Sequence, residues 1–132
     1  MMQTISVSTK GRFDFVEITH QIREVVRESG VKNGICVVYA PHTTAGITIN
    51  EGADFSVRKD ILKELDKIIP LDDNYSHLEG NSAAHIKSSI IGCSEQLIIE
   101  NGDLVLGTWQ SLYFCEFDGP RNRKVYVKII EE

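Results

Sequence analysis

No hydrophobic run in this chain approaches the ~20 residues needed to span a bilayer, although 42% of its 132 residues are hydrophobic. A membrane helix is therefore not expected, and with 25% charged residues the composition is that of a soluble globular protein. Positive charge is scarce, 14 Lys and Arg against 19 Asp and Glu for a net −5. With no basic stripe to offset this, a nucleic-acid partner relying on counterion release is excluded. A phosphate-bearing ligand would have to meet a local basic cluster or a divalent cation. Cysteine is limited to Cys36, Cys93 and Cys115, an odd count without CxxC spacing. All three stand in or beside apolar strands and are read as reduced, buried thiols. The chain has no internal repeat, low-complexity tract or long linker, so residues 1–132 are expected to form one domain. A chain of this size buries roughly 65–70% of its unfolded surface and needs neither disulfides nor a structural metal. The first residues, "MMQTISVSTKGRF", lack the basic region and apolar core of a signal peptide, and a cytoplasmic protein is expected.

Hydrophobic periodicity supplies the elements. "TISVS" and "RFDFVEI" alternate around "TKGR" and predict a hairpin. "THQIREVVRESG" spaces Ile22, Val25 and Val26 as a helix, with Thr19 as N-cap and Gly30 as terminator. "GICVVYA" and "GITIN" predict strands on either side of "PHTTA". Asp54 is placed to cap "FSVRKDILKELDKIIP", in which Phe55, Ile61, Leu62, Leu65, Ile68 and Ile69 share one face before Pro70. Asn81 or Ser82 opens a helix ending at Gly92, and "EQLIIE", "LVLGTWQSLYFCEF" and "KVYVKII" read as strands joined by "NGD" and "DGPRNR" turns. Strands and helices in blocks, without βαβα alternation, predict an α+β fold: a largely antiparallel sheet with helices packed on one face.

Two of the four histidines fall within "HLEGNSAAH". If a helix starts near Asn81, Asn81 and His85 share a face of its first turn, where free N–H groups and the helix dipole favour an anion. Asn81 as a simple cap, with His77 and Glu79 as solvated loop residues, accounts for the same pattern. His42, Thr43 and Thr44 form a polar knot between two strands, with Glu51 and Asp54 beyond the second. His42, His77 and His85 would meet only through the fold, and their spacing matches no short metal motif. His20, on an amphipathic helix, is read as a surface or capping residue. "DGPRNRK" puts Arg121, Arg123 and Lys124 within four positions, suited to bidentate phosphate contacts and equally to a solvated hairpin tip. Trp109 either fills core or stacks on a ligand ring.

The segments "PHTTAGITINEGAD", "YSHLEGNSAAHIKSSIIG", "SEQLIIENGDLVLGTWQSL" and "EFDGPRNRKVYVKI" resemble the YjbQ family, also called the secondary thiamine-phosphate synthase family. The likeness spans nearly the whole chain. Ser94, Leu97, Ile99, Gly102, Gly107, Thr108, Trp109, Gln110 and Leu112 look like that family's signature, with GTWQ its specific core. The resemblance implies an α+β subunit in a homotrimer, the histidine segments lying near subunit contacts. It implies a suspected metal or ligand site mapping onto His42, His77 and His85, with Asn81 and Glu51 nearby. Cys93 stands where a proline or small residue is expected, and no chemistry is attached to it.

The activity implied is the joining of a hydroxymethylpyrimidine diphosphate to a thiazole phosphate. Such a reaction asks the protein to stabilise charge on departing pyrophosphate and to align two rings, without a covalent nucleophile. The candidate roles are then catalysis by His85, Asn81 and Glu51, and substrate contacts from Arg121, Arg123, Thr43, Thr44 and Trp109. A divalent ion, zinc or magnesium, would sit on His42, His77 and His85. Two other readings use the same residues: a metal-dependent hydrolase or different small-molecule enzyme, and a non-catalytic protein that binds a phosphorylated metabolite.

Overall fold

The strand pattern that suggested an opening hairpin builds instead the first strands of two separate sheets. In the computed structural model, which describes residues 2–132, β1 (Met2–Ser8) pairs with β8 (Asn122–Glu131), whereas β2 (Asp14–Glu17) pairs with β7 (Gln110–Glu116). Gly11 is not in the left-handed region that a tight hairpin turn requires, and the Thr9 N–H donates to Arg121 instead of across a local turn. The remaining elements are α1 (Thr19–Ser29), β3 (Gly34–Tyr39), β4 (Ala45–Glu51), α2 (Phe55–Ile68), α3 (Ser82–Ile91), β5 (Ser94–Glu100) and β6 (Asp103–Leu104). All strand pairs are antiparallel, in a five-stranded sheet ordered β1-β8-β3-β5-β6 and a three-stranded sheet ordered β2-β7-β4. The fold is α+β, as the block order of the sequence predicts, with two sheets where one was expected. Among the described residues no helix is long and apolar enough to cross a membrane.

The sheets face one another across the main core. Val38, Leu97, Val125 and Val127 of one sheet meet Ile47, Leu112 and Phe114 of the other, with Ile18, Ile22 and Val26 beside them. A second core lies on the opposite face of the three-stranded sheet, where Phe15, Tyr113, Cys115 and Phe117 pack on Leu65 and Ile69 and on Ala83 and Ala84 of α3. Strand β7 is thus covered on both faces, which explains why "SLYFCE" is nearly continuous in apolar residues. Cys36 and Cys115 are buried thiols, and burial pushes Cys36 up to about 11. Cys93 is exposed, against expectation, because it lies in the connection after α3 and outside either core.

Helix ends follow the sequence unevenly. Asp54 caps α2 through Ser56, and Gly30 ends α1 in the left-handed conformation. Thr19 is inside α1 and Ile18 takes the N-cap position, because the Thr19 hydroxyl is committed to accepting from the Leu112 N–H at 2.9 Å. Phe55 and Ile68 of the expected apolar face of α2 are exposed. Asn101 and Gly102, both at positive φ, turn β5 into β6 as an Asn-Gly pair allows.

Two features bear on what the fold supports. Ile98, Ile35 and Ile130 are direct cross-strand neighbours on β5, β3 and β8, and all three are exposed on the outer face of the large sheet. Helix α3 is locked to β4 where Ser88 Oγ donates to Ala45 O at 2.6 Å and the Ile47 N–H donates to Gly92 O at 3.0 Å. A Cβ on Gly46 would lie 2.6 Å from that Gly92 oxygen and 3.1 Å from an Ile91 methyl. Gly46→Ala is therefore expected to cost about 1–3 kcal/mol in denaturant unfolding, by forcing α3 off the strand.

Candidate functional site

The β3–β4 connection, the approach to α3 and the β7–β8 connection converge on one open cleft of about 460 Å³. His42, Thr43 and Thr44 line it from the first, His77, Glu79, Asn81 and His85 from the second, and Asp118, Arg121 and Arg123 from the third. Three segments separated by more than thirty residues each are gathered because β4 and β7 are sheet neighbours, with Ala45 opposite Glu116, while α3 packs on β4.

His42 is the most constrained imidazole. Its Nε2 lies 3.0 Å from both the backbone N and the backbone O of Lys124, and its ring stands edge-on to Phe114 at 6.2 Å. Burial and the nearby Arg123 charge lower its pKa, against the opposing pull of the Lys124 backbone and Glu116, which leaves the ring neutral at pH 7. His77 is exposed and His85 half-buried, and they face one another at right angles, with centroids 5.4 Å apart. Glu79 reaches to 4.0 Å from His77.

Asn81 holds the N-cap position of α3 without capping it by its side chain. Its Nδ2 donates instead to Asp118 Oδ2 at 3.0 Å, and its Oδ1 is buried with no hydrogen-bond partner. Arg121 clasps the same carboxylate at 3.0 Å through Nη2 and donates from Nε to the Asp118 carbonyl at 2.7 Å, which leaves Nη1 for a ligand. The turn carrying Arg121 is no hairpin tip, since it passes the chain from one sheet to the other.

Arg123 is buried under the cleft. It is paired with Glu116 through both Nε and Nη2, and it donates to Thr44 Oγ1 at 2.8 Å. Glu116 also accepts from the Thr9 hydroxyl at 2.8 Å and from the Asp118 N–H at 3.0 Å. Nε and Nη2 of Arg123 are thus engaged in the floor, and Nη1, which makes no hydrogen bond among the described residues, is what remains for the phosphate contact expected of it. Thr44 belongs to that floor, and Thr43 is exposed in the wall.

Glu51 and Trp109 are not in this cleft. They lie at the other end of β4, roughly 20 Å along the strand, where Glu51 is opposite Gln110. The three-histidine metal set fares differently from its ligands' convergence. Among the described residues no group of three or more His, Cys, Asp or Glu side chains is arranged to hold a metal ion. His42 has its Nε2 engaged by Lys124, so Nδ1 is the ring nitrogen it has free. Sequence reasoning missed Asp118, which organises Asn81 and Arg121, although "EFDGPR" contains it beside the basic turn. It also missed Glu116 and Thr9, whose partners become visible only when the two sheets meet.

The family described as UPF0047 protein YjbQ-like matches residues 3–132. The chain belongs to the YjbQ family. It is 55% identical to the UPF0047 protein MJ1081 of Methanocaldococcus jannaschii over 98% of this chain and 94% of that one. It is 48% identical to the UPF0047 protein YugU of Bacillus subtilis, covering 98% and 99%. A crystal structure of a YjbQ/UPF0047 family protein from Clostridium acetobutylicum superposes with a TM-score of 0.96 at 58% identity, covering 97% of this chain and 99% of that one.

In this YjbQ-family cleft the floor is tied together by one buried pair. Burial works against the Glu116 charge, and hydrogen bonds from Arg123, the Asp118 N–H and Thr9 outweigh it, holding its pKa below the ordinary value. A carboxylate depressed in this way contributes stability above the ordinary glutamate value of 4.5 and loses it as pH falls through the lower folded value. Glu116→Gln leaves the Arg123 charge buried without its counter-ion and is expected to cost about 3–5 kcal/mol in urea unfolding at pH 7. That penalty should shrink in unfolding curves taken at successively lower pH, below the glutamate range.

Proposed function

We propose that the histidine cleft binds the phosphate or diphosphate group of a small molecule, and that its reaction is the joining of a hydroxymethylpyrimidine diphosphate to a thiazole phosphate. The observation that carries this reading is the placement of Arg121 beside an α3 start whose leading N–H groups no side chain caps, in a cleft with three imidazoles. A guanidinium beside a helix start at one polar cleft favours an anion in a chain that is otherwise acidic. In the reaction the thiazole nitrogen attacks the pyrimidine methylene carbon as its C–O bond breaks, the electron pair leaving with pyrophosphate. Arg121 stabilises the charge that develops on that leaving group, and His77 or His85 donates a hydrogen bond to its oxygens. Holding both rings together supplies the remaining advantage. No metal step is included, because the donor set expected for zinc or magnesium is not assembled. The same gap removes the support for a metal-dependent hydrolase, and a non-catalytic phosphometabolite binder differs from this reading by lacking turnover.

Arg121→Ala is expected to weaken pyrophosphate binding by about 1.5–3 kcal/mol in calorimetry, the range for a hydrogen bond to a charged group. His85→Ala should remove thiamine phosphate formation, followed by product analysis, while α3 stays folded on its apolar face. Wild-type affinity in the first variant together with retained turnover in the second would sink the assignment.

The subunit is further proposed to act as a cytoplasmic homotrimer. Support comes from the exposed Ile98, Ile35 and Ile130 row, an apolar sheet face of the kind that marks association. Light scattering should give about three times the 14.8 kDa chain mass. Ile35→Glu, which places a charge in the middle of the row, should lower that mass, and a monomeric wild type at micromolar concentration would contradict the proposal.

A further inference from the structure

Glu51 and Trp109, left out of the histidine cleft, meet each other at the opposite end of β4. With Ala53, Asp54 and Phe55 they line an open cleft of about 490 Å³. Trp109 is 64% exposed and Phe55 61%, a costly display for two large aromatic side chains. The backbone that carries them is nonetheless tied down. The Gly52 N–H donates to Trp109 O at 2.8 Å, the Gln110 N–H to Gly107 O at 3.1 Å, and the Gly107 N–H to the Gln110 side chain at 2.8 Å. Gly52 presses so closely on Ser111 that a Cβ there would lie 1.9 Å from the hydroxyl oxygen. Asp54, capping α2, sets the position of Phe55. The aromatic pair is exposed by construction.

Charge defines what would suit it. Glu51 accepts the N–H groups of Ala53 and Asp54 on Oε2 alone, and Asp54 accepts both bonds from Ser56 on Oδ1 alone. The second oxygen of each carboxylate accepts no hydrogen bond among the described residues. Arg58 stacks on Phe55 at 4.8 Å, but it is held by Tyr113 and Phe15 and does not line the cleft. An indole face beside two carboxylates attracts a cation with an apolar body more strongly than an anion or a neutral ring. We propose that this cleft binds a compact alkylammonium or quaternary ammonium group, with Trp109 supplying the π face and Glu51 and Asp54 the counter-charge. The site is separate from the phosphate cleft and does not depend on the reaction assigned there.

Trp109 is the chain's single tryptophan, so tryptophan emission of the full chain, excited beyond the absorption of its tyrosines, reads this cleft alone. Choline chloride is titrated against 3,3-dimethylbutan-1-ol, which has the same shape without the charge, at constant ionic strength. Choline should give a saturable change in emission, with the alcohol at least about fivefold weaker. Glu51→Gln, which keeps an acceptor oxygen for the Ala53 and Asp54 N–H groups, should weaken choline by about fivefold. Arg121→Ala should leave the choline titration unchanged, which keeps a failure of phosphate binding distinct from a failure here. Equal affinity for both probes reduces the cleft to an apolar patch and overturns the proposal. No saturable response up to about 50 mM choline also overturns it, as does emission that follows protein concentration instead, which would give this face to a second copy of the chain.

Discussion

The buried pair between Arg123 and Glu116 is the constraint on which the rest depends. Arg123 is on β8 of the large sheet and Glu116 ends β7 of the small one, so their contact joins the two sheets at one edge of the core. Thr9, just after β1, and Thr44, just before β4, complete the hydrogen bonding of the pair. Desolvating two charges is expensive, and the expense is offset here by the hydrogen bonds that both Glu116 oxygens and the Nε and Nη2 of Arg123 make. Four chain segments are thereby fixed at the point where the chain changes sheets, and the floor of the histidine cleft is the surface they make. A buried apolar pair of similar volume would fasten the sheets as well. It would not hold the Asp118 N–H, and through that residue Arg121 and Asn81, in place at the rim.

Strand β4 then determines how the functional residues divide. Its first residues follow the His42–Thr44 segment and its last is Glu51, so one rigid strand separates two polar sites by its own length. From sequence the two ends look like one motif, "PHTTAGITINEGAD", because proximity along the chain is all that can be read there. A helix would have brought such residues within a turn or two of each other, but an extended strand places them on opposite margins of the sheet.

Where the sequence was legible, local physics was sufficient: the Asp54 cap, the Gly30 terminator, the Asn101–Gly102 turn and the doubly covered β7 are each written in adjacent residues. The family resemblance implied His42, His77 and His85 together with Asn81 and Glu51, and no spacing rule reveals that Asn81 joins the histidines and Arg121 in one cleft while Glu51 does not. What stayed hidden was partner choice. "TKGR" reads as a hairpin because nothing local says that β1 and β2 find strands more than a hundred and nearly a hundred positions away. Arg123 and Arg121 are two residues apart with the same chemistry. Only the fold separates them: Arg123 lies within β8 and is buried against Glu116, whereas Arg121 stands in the connection before the strand and is exposed at the cleft.

The different settings of the two arginines have a chemical consequence. Arg123 is paired with Glu116 below the floor, and Arg121 shares its charge with Asp118 at the rim. Arg123 still acts on the cleft through His42, whose pKa it helps to lower, so the imidazole nearest the floor stays neutral. A neutral ring bound at Nε2 to the Lys124 backbone is a fixed hydrogen-bonding wall. Uncommitted hydrogen-bonding groups are left to His77, His85 and the free Nη1 of Arg121. The cleft is thus graded, with a floor whose charges are internally satisfied and a rim whose donors are available. An anion would enter such a site from the solvent side and be held at the rim, and the floor would keep its own hydrogen bonds throughout.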